Sequence, residues 1–402
     1  MNLESRTLPP TLEGMRYRTL DAWRGIASLC VVFYHVALVL VGINPALRRS
    51  FWYRGCLQGY LGVEIFFVIS GYCILVAVAS LLKRQGSWQA FLKARCRRIY
   101  PACWFSLALW VLFWLTATAL VHSGHLKAST AADLDLQHRS WLYFFANITL
   151  TQFVFHQQFL SAVTWTLAYE VAFYAVVTVN IVLLGGEAAQ SRKAGRKEGR
   201  KVGEEQLRTL LNRLHFLTVV SLAVLLVHPG WIFFPFGLWA HFGLGALVYD
   251  LLRHPHLRGV RLVFGAATVA MLVLARLDHI PTGMLYNGGG ATFLVSVVTA
   301  LLLLLLARQD EALSRQQPVK WLVTVGAFSY SLYLTNFLFI GLAAQVIRLL
   351  HLHGAALHAM DLLVAAGAVG FAWVFYLCCE RPFLKPSVRT MVVPHPAVRE
   401  AS

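Results

Sequence analysis

From Leu294 to Ala307 the chain reads LVSVVTALLLLLLA, without one charged residue, and apolar runs of this kind recur along its length. About 20 such residues cross the roughly 30 Å hydrocarbon core of a bilayer as a helix, which satisfies its own backbone there. Repeated runs confine the chain to an all-α, polytopic integral-membrane bundle. Of 402 residues, 58% are hydrophobic and 13% charged, and the mean hydropathy of +0.62 leaves little for a soluble domain.

About ten transmembrane helices are expected, near residues 20–42, 57–82, 99–121, 161–186, 214–229, 231–252, 262–276, 285–307, 321–347 and 357–379. Charge tests their alternation. A net charge of +17 raises the question of a nucleic-acid partner, but Lys and Arg crowd into the short segments between spans. With the N-terminus inside, 28 of the 35 basic residues fall on inner segments and seven outside. That bias obeys the positive-inside rule, so both termini are expected to be cytoplasmic and the basic residues to face membrane lipids; nucleic acid is not implied. The first span carries charges and lacks a small-residue cleavage pattern, so it is expected to remain as a membrane helix. Residues 1–386 then form one membrane domain and 387–402 a cytoplasmic tail. The seven cysteines show neither a disulfide framework nor zinc spacing, and no metal site is expected.

Two regions between spans stand out. Residues 187–213, centred on QSRKAGRKEGRK, are expected to form a flexible cytoplasmic loop. Residues 122–160 begin polar and end in the amphipathic WLYFFANITLTQFVF, which would either lie at the outer interface or re-enter the bundle as a lid.

The first span, LDAWRGIASLCVVFYH from Leu20, carries Asp21, Arg24 and His35. Arg24 and His35 are eleven steps apart, which returns to nearly the same helix face roughly 16 Å further along. Ionisable groups inside a membrane are costly and mark functional sites. Counting 1.5 Å per residue from the ends of the spans places Glu64, Glu170 and Asn336 near the level of His35, so one polar layer is expected across four helices. A histidine beside carboxylates serves as a general base near neutral pH. On the cytoplasmic side, KARCRRIYPAC puts Arg95 and Arg98 three apart before the third span, an arrangement suited to phosphate at a helix N-terminus.

These motifs together resemble the membrane acyltransferase-3 family: the Arg24 to His35 spacing, GVEIFFVISGY at 62–72, Arg95 and Arg98 before IYP, WTLAYEVAFY at 165–174, SYSLYL at 329–334 and ERP at 380–382. The resemblance implies an acyltransferase moving acyl groups, usually acetyl, from acetyl-CoA or another acyl-CoA to a carbohydrate or lipid-linked glycan in a bacterial inner membrane. It makes His35 the catalytic residue with Arg24, Glu64 and Glu170 supporting it, and Arg95 and Arg98 the acyl-CoA-binding pair. Asp21, Ser70, Trp165, Ser331 and Asn336 are candidate substrate-site residues. Many relatives carry a histidine where this chain has Asn336, which hydrogen-bonds but cannot shuttle a proton. A general-base and an acyl-histidine route both remain open. The competing class is a proton-coupled transporter of a sugar or small metabolite, which would call for paired broken helices; Gly288 to Gly290 has no counterpart in the first half. A glycan polymerase or flippase would call for a large polar outer loop.

Overall fold

The computed structural model describes residues 17–123, 139–193, 199–228, 233–276, 289–351 and 355–384. The tail at 387–402, and Gly288 of the glycine run, lie outside them. The described residues contain no strands and form α1 (Leu20–Ile43), α2 (Phe51–Cys56), α3 (Gly62–Lys83), α4 (Trp88–His122), α5 (Trp141–Thr149), α6 (Thr164–Lys193), α7 (Gly199–Val227), α8 (Trp239–Arg253), α9 (Arg258–Leu274), α10 (Gly289–Leu306), α11 (Asp310–Ser314), α12 (Gln317–Ala327), α13 (Ser329–Leu349) and α14 (Ala355–Phe375). The chain is an all-α polytopic membrane bundle, with eight stretches among the described residues long and apolar enough to cross a membrane.

The sixth and seventh expected spans fall short of that length. They correspond to α8, with 15 residues, and α9, with 17. Every residue of α8 from Trp239 to Asp250 is buried. A helix enclosed on all sides packs as a central pillar and need not match the bilayer's thickness by itself. Its close approach to α3 depends on Gly71 and Gly245, where a Cβ would fall onto the carbonyls of Phe242 and Val68.

Three boundaries differ from expectation. The third span begins at Trp88, because Ser87 caps the helix by accepting from the Ala90 amide at 3.3 Å. Arg95 and Arg98 therefore sit about two turns inside a continuous helix, and the N-terminal field invoked for them does not reach them. The basic 187–213 region is not one loop: α7 already runs from Gly199, so its second half is helical, with Leu207, Leu210 and Leu211 buried beneath the charged face. The ninth span is two helices, α12 and α13, divided at Phe328.

Helix α5 packs its Tyr143, Ala146 and Asn147 face inward, leaves Trp141, Phe145 and Ile148 exposed, and meets α4 far from that helix's last residue. Its last carbonyls accept from Tyr100 Oη at 3.0 Å and Trp104 Nε1 at 3.0 Å. Tyr100 is 22 residues from the end of α4 at His122, roughly 33 Å of helix. The 141–163 segment thus re-enters, and Asn147 closes it by donating to the Gln158 carbonyl and accepting from the Leu160 amide.

Two hydrophobic cores meet along α1 and α13. Val31, Tyr333, Leu334 and Leu338 belong to the larger core, built around α3, α4 and α6 to α10. Val32, Val36, Leu332 and Ile340 belong to a smaller one shared with α12 and α14. Polar side chains on the facing strips of α1 and α13 are held in the seam between two packed bodies.

Candidate active site

His35 and Asn336 meet in that seam. His35 Nδ1 lies 2.6 Å from Asn336 Oδ1. The Asn336 amide is fully committed on its other side, donating to the Leu332 carbonyl at 2.7 Å and the Tyr333 carbonyl at 2.8 Å. Both amide hydrogens are therefore taken by carbonyls of the preceding turn, and the group facing His35 is an acceptor. Nδ1 of the imidazole must carry the proton, which leaves Nε2 with its lone pair in the neutral ring. The ring is flanked by Tyr34 at 5.1 Å and Phe337 at 4.8 Å between centroids. Asparagine thus does what any fixed acceptor does here: it selects one tautomer and one orientation.

The carboxylates of the expected layer have other partners. Glu64, fully buried, pairs with His241 Nδ1 at 3.3 Å, and the same nitrogen lies 2.7 Å from Ser296 Oγ. This pairing joins α3, α8 and α10. Glu170 accepts from Tyr174 Oη at 2.5 Å and from Ser70 Oγ at 3.5 Å. Trp165 packs against Phe67 and Tyr169 a turn away from Glu170.

A second polar cluster gathers the remaining motif residues. The break at Phe328 leaves the first amides of α13 without helical acceptors. Glu380 supplies one: its Oε2 accepts from the Ser331 amide at 3.2 Å and from Ser331 Oγ at 2.5 Å. Glu380 is brought there by a π-helical turn over Tyr376–Glu380 at the end of α14. Arg98 lies within electrostatic range of Glu380 and Glu170, and Arg24 within range of Glu380. Arg24 also pairs with Asp21 at 3.7 Å. Arg95 packs its guanidinium over the rings of Phe91 at 5.4 Å and Tyr174 at 5.7 Å, and its buried Nε has no hydrogen-bond partner among the described residues. The cluster is tied to its surroundings by Tyr330 Oη donating to the Ile99 carbonyl and Arg97 Nε donating to the Phe383 carbonyl.

The structure therefore brings together His35 with Asn336, Ser70 with Glu170, and Ser331 with Glu380, and it sets Arg24, Arg95 and Arg98 around the last two. It places Glu64 with His241. Sequence reasoning named neither Glu380, Tyr174, His241 nor Ser296. The buried acid of ERP, directly before a proline at a helix end, was the available signal for Glu380; His241 and Ser296 lie in spans whose motifs carry no comparable mark.

Residues 17–377 match the family described as an acyltransferase domain, and the chain belongs to the membrane acyltransferase-3 family. It is similar to the membrane-bound transacylase BcsY of Komagataeibacter xylinus, 28% identical over 177 residues, 42% of this chain and 38% of that protein. It is 24% identical over 392 residues to an O-acetyltransferase of Staphylococcus aureus strain MSSA476, covering 94% of this chain and 59% of that protein. It is also similar to the peptidoglycan O-acetyltransferase YrhL of Bacillus subtilis, 28% identical over 172 residues, 41% of this chain and 23% of that protein. The chain spans less than two thirds of the length of each of these relatives. No solved structure matches it.

Proposed function

We propose that the protein is an O-acyltransferase of the bacterial inner membrane, moving an acyl group, acetyl in the first instance, from cytoplasmic acyl-coenzyme A to a hydroxyl of a cell-envelope or exported glycan. Family membership and the relatives' names support acyl transfer. The observation that carries the reading is the His35–Asn336 pair, whose bonding leaves an unprotonated Nε2 on a fixed ring in the seam of the bundle.

The donor fits the residues present. Arg95 has a buried guanidinium nitrogen with no hydrogen-bond partner among the described residues, and Arg98 stands one turn further along the same helix face. Planar guanidinium groups so placed suit phosphate oxygens. Arg95 and Arg98 would hold the nucleotide phosphates, and the bound donor supplies an activated acyl thioester. Glu380 and Glu170 keep Arg98 oriented when the donor is absent. His35 Nε2 accepts the proton of the acceptor hydroxyl as that oxygen attacks, and Asn336 Oδ1 holds the Nδ1–H and so steadies the imidazolium that forms. The proton returns from Nε2 to the leaving group. The bonding of Glu64 to His241 and of Glu170 to Tyr174 leaves Asn336 as the residue that steadies His35, in place of the carboxylates expected for that task.

The test is incubation of the purified full chain in nanodiscs with radiolabelled acetyl-coenzyme A and a panel of envelope glycans. Label transfer that is lost in His35→Ala, and that needs a raised donor concentration in Arg95→Ala, is the expected result. Unchanged transfer by His35→Ala would overturn the mechanism.

A further inference from the structure

A cavity of about 700 Å³ opens beside the outer half of α1, against the 44–61 segment that descends from Ile43 to α3. Its walls include Tyr34, Tyr60, Gln58, Arg48, Arg54 and Phe51. The Tyr34 ring, which lines the cavity, lies 5.8 Å from Tyr60 and 5.1 Å from His35 between centroids, so one wall residue separates the cavity from the proposed catalytic base.

The two arginines are the informative residues. Arg48, Arg49 and Arg54 lie on a segment that the charge count puts outside, where the positive-inside rule depletes arginine and lipid anchoring gives no reason for it. Arg48 and Arg54 are exposed and form no ion pair among the described residues. A carboxylate does stand against this segment: Asp361 of α14 accepts from Trp52 Nε1 at 3.2 Å and Tyr53 Oη at 2.9 Å. Two neutral donors occupy it, with Tyr53 fully buried, and pin α2 in place while Arg54 on the same short helix is left facing the cavity.

Each wall selects a different part of a ligand. Two exposed guanidinium groups without an ion pair among the described residues suit a phosphate. Tyrosine faces and the Gln58 amide suit a sugar ring and its hydroxyls. Leu38 and Phe51, 43% and 89% exposed at the lip, leave an apolar path toward the bilayer. We propose that this cavity seats the acyl acceptor as a phosphate-bearing sugar amphiphile, its phosphate on Arg48 and Arg54 and its sugar against Tyr34 and Tyr60. The word acceptor rests on the function proposed above; the binding of a phosphosugar amphiphile does not.

The probes are a short-chain polyprenyl phosphoglucose, dodecyl maltoside and dioleoylphosphatidylglycerol, presented to the purified full chain and read by native mass spectrometry. Wild type should retain the phosphoglucose, and Arg48→Ala/Arg54→Ala should lose roughly tenfold in affinity, whereas Arg48→Lys/Arg54→Lys should keep most of it. Dodecyl maltoside, which lacks the phosphate, should not compete. His35→Ala should bind like wild type, and this separates the two proposals: phosphoglucose held by a protein that never transfers acyl groups supports the site and removes the enzyme reading. Equal retention by wild type and the alanine pair overturns the site. Displacement of the phosphoglucose by equimolar phosphatidylglycerol also overturns it, since the cavity would then be a lipid headgroup seat. In the transfer assay, the alanine pair should raise the acceptor KM and leave the donor KM unmoved.

Discussion

His35 and His241 are both bonded through Nδ1 within the bundle, and they are built for opposite ends. His241 is 1% exposed, sits on a helix buried on all sides, and shares its Nδ1 between the hydroxyl of Ser296 and the carboxylate of Glu64, with Phe293 against its ring. His35 has one polar protein partner at Nδ1, lies in a seam between two cores, and touches an aromatic ring that lines an open cavity. A sealed polar cluster contributes little net stability when formed but is costly to halve, because a buried polar group then loses its partner. A histidine with one nitrogen fixed and the other accessible is the arrangement of a general base. The comparison teaches that a titratable group in a membrane helix is not by itself a catalytic mark; what separates the two is which nitrogen is spoken for and whether anything can reach the other.

The largest effect should come from His35→Ala. Acyl transfer should fall by about 10³-fold, the range of a lost general base, with the variant still inserted and monodisperse by size-exclusion chromatography. Next, Asn336→Leu should lower kcat by about 10²-fold, since the ring then lacks the acceptor that selects its tautomer. Asn336→Asp, which also accepts from Nδ1–H, should recover most of that loss. Equal turnover in Asn336→Leu and wild type would show that the tautomer is held by something else.

The helical bundle and its family were legible because apolar length, basic bias and six motifs are properties of consecutive residues. What was not legible has specific causes. The depth count assumed straight spans of equal length. The α12–α13 break at Phe328, the short α8 and the early start of α4 at Ser87 each violate that assumption, so residues at equal counted depth acquired different partners. Glu64 and Glu170 illustrate it: both face the interior as the cost of burying a charge demands, yet Glu64 pairs with His241 of α8, whose sequence carries no motif. Glu380 escaped because a π-helical turn, invisible in composition, turns it toward Ser331.

On the other side of the comparison, His241→Ala should act on folding. It removes the hydrogen bond to Ser296 and opens a void against Phe293 on a buried helix, a loss of about 3 kcal/mol, seen as a lower midpoint in thermal melts of the detergent-solubilised protein. Activity per folded molecule should stay within a few-fold of wild type. A variant that melts like wild type but no longer turns over would make His241 the reactive histidine and reverse the assignment.

The smallest expected effect, in Ser296→Ala, is the most discriminating about the sealed cluster. Ser296 Oγ and Glu64 Oε2 compete for one nitrogen, at 2.7 and 3.3 Å. If Nδ1–H donates to the serine hydroxyl, the Glu64 carboxylate stands within reach to replace it, and removal of the hydroxyl should cost about 1 kcal/mol, the net worth of an ordinary hydrogen bond. If the hydroxyl instead donates to an unprotonated Nδ1, its removal leaves a lone pair facing a carboxylate in a buried site, and the melt should drop as far as in His241→Ala. The double variant Glu64→Gln/Ser296→Ala distinguishes the two: a glutamine amide can donate to Nδ1, so it should rescue the second case and leave the first unchanged. The first outcome is expected, because an unprotonated Nδ1 would turn its lone pair toward a carboxylate 3.3 Å away, whereas an Nδ1–H faces that carboxylate favourably.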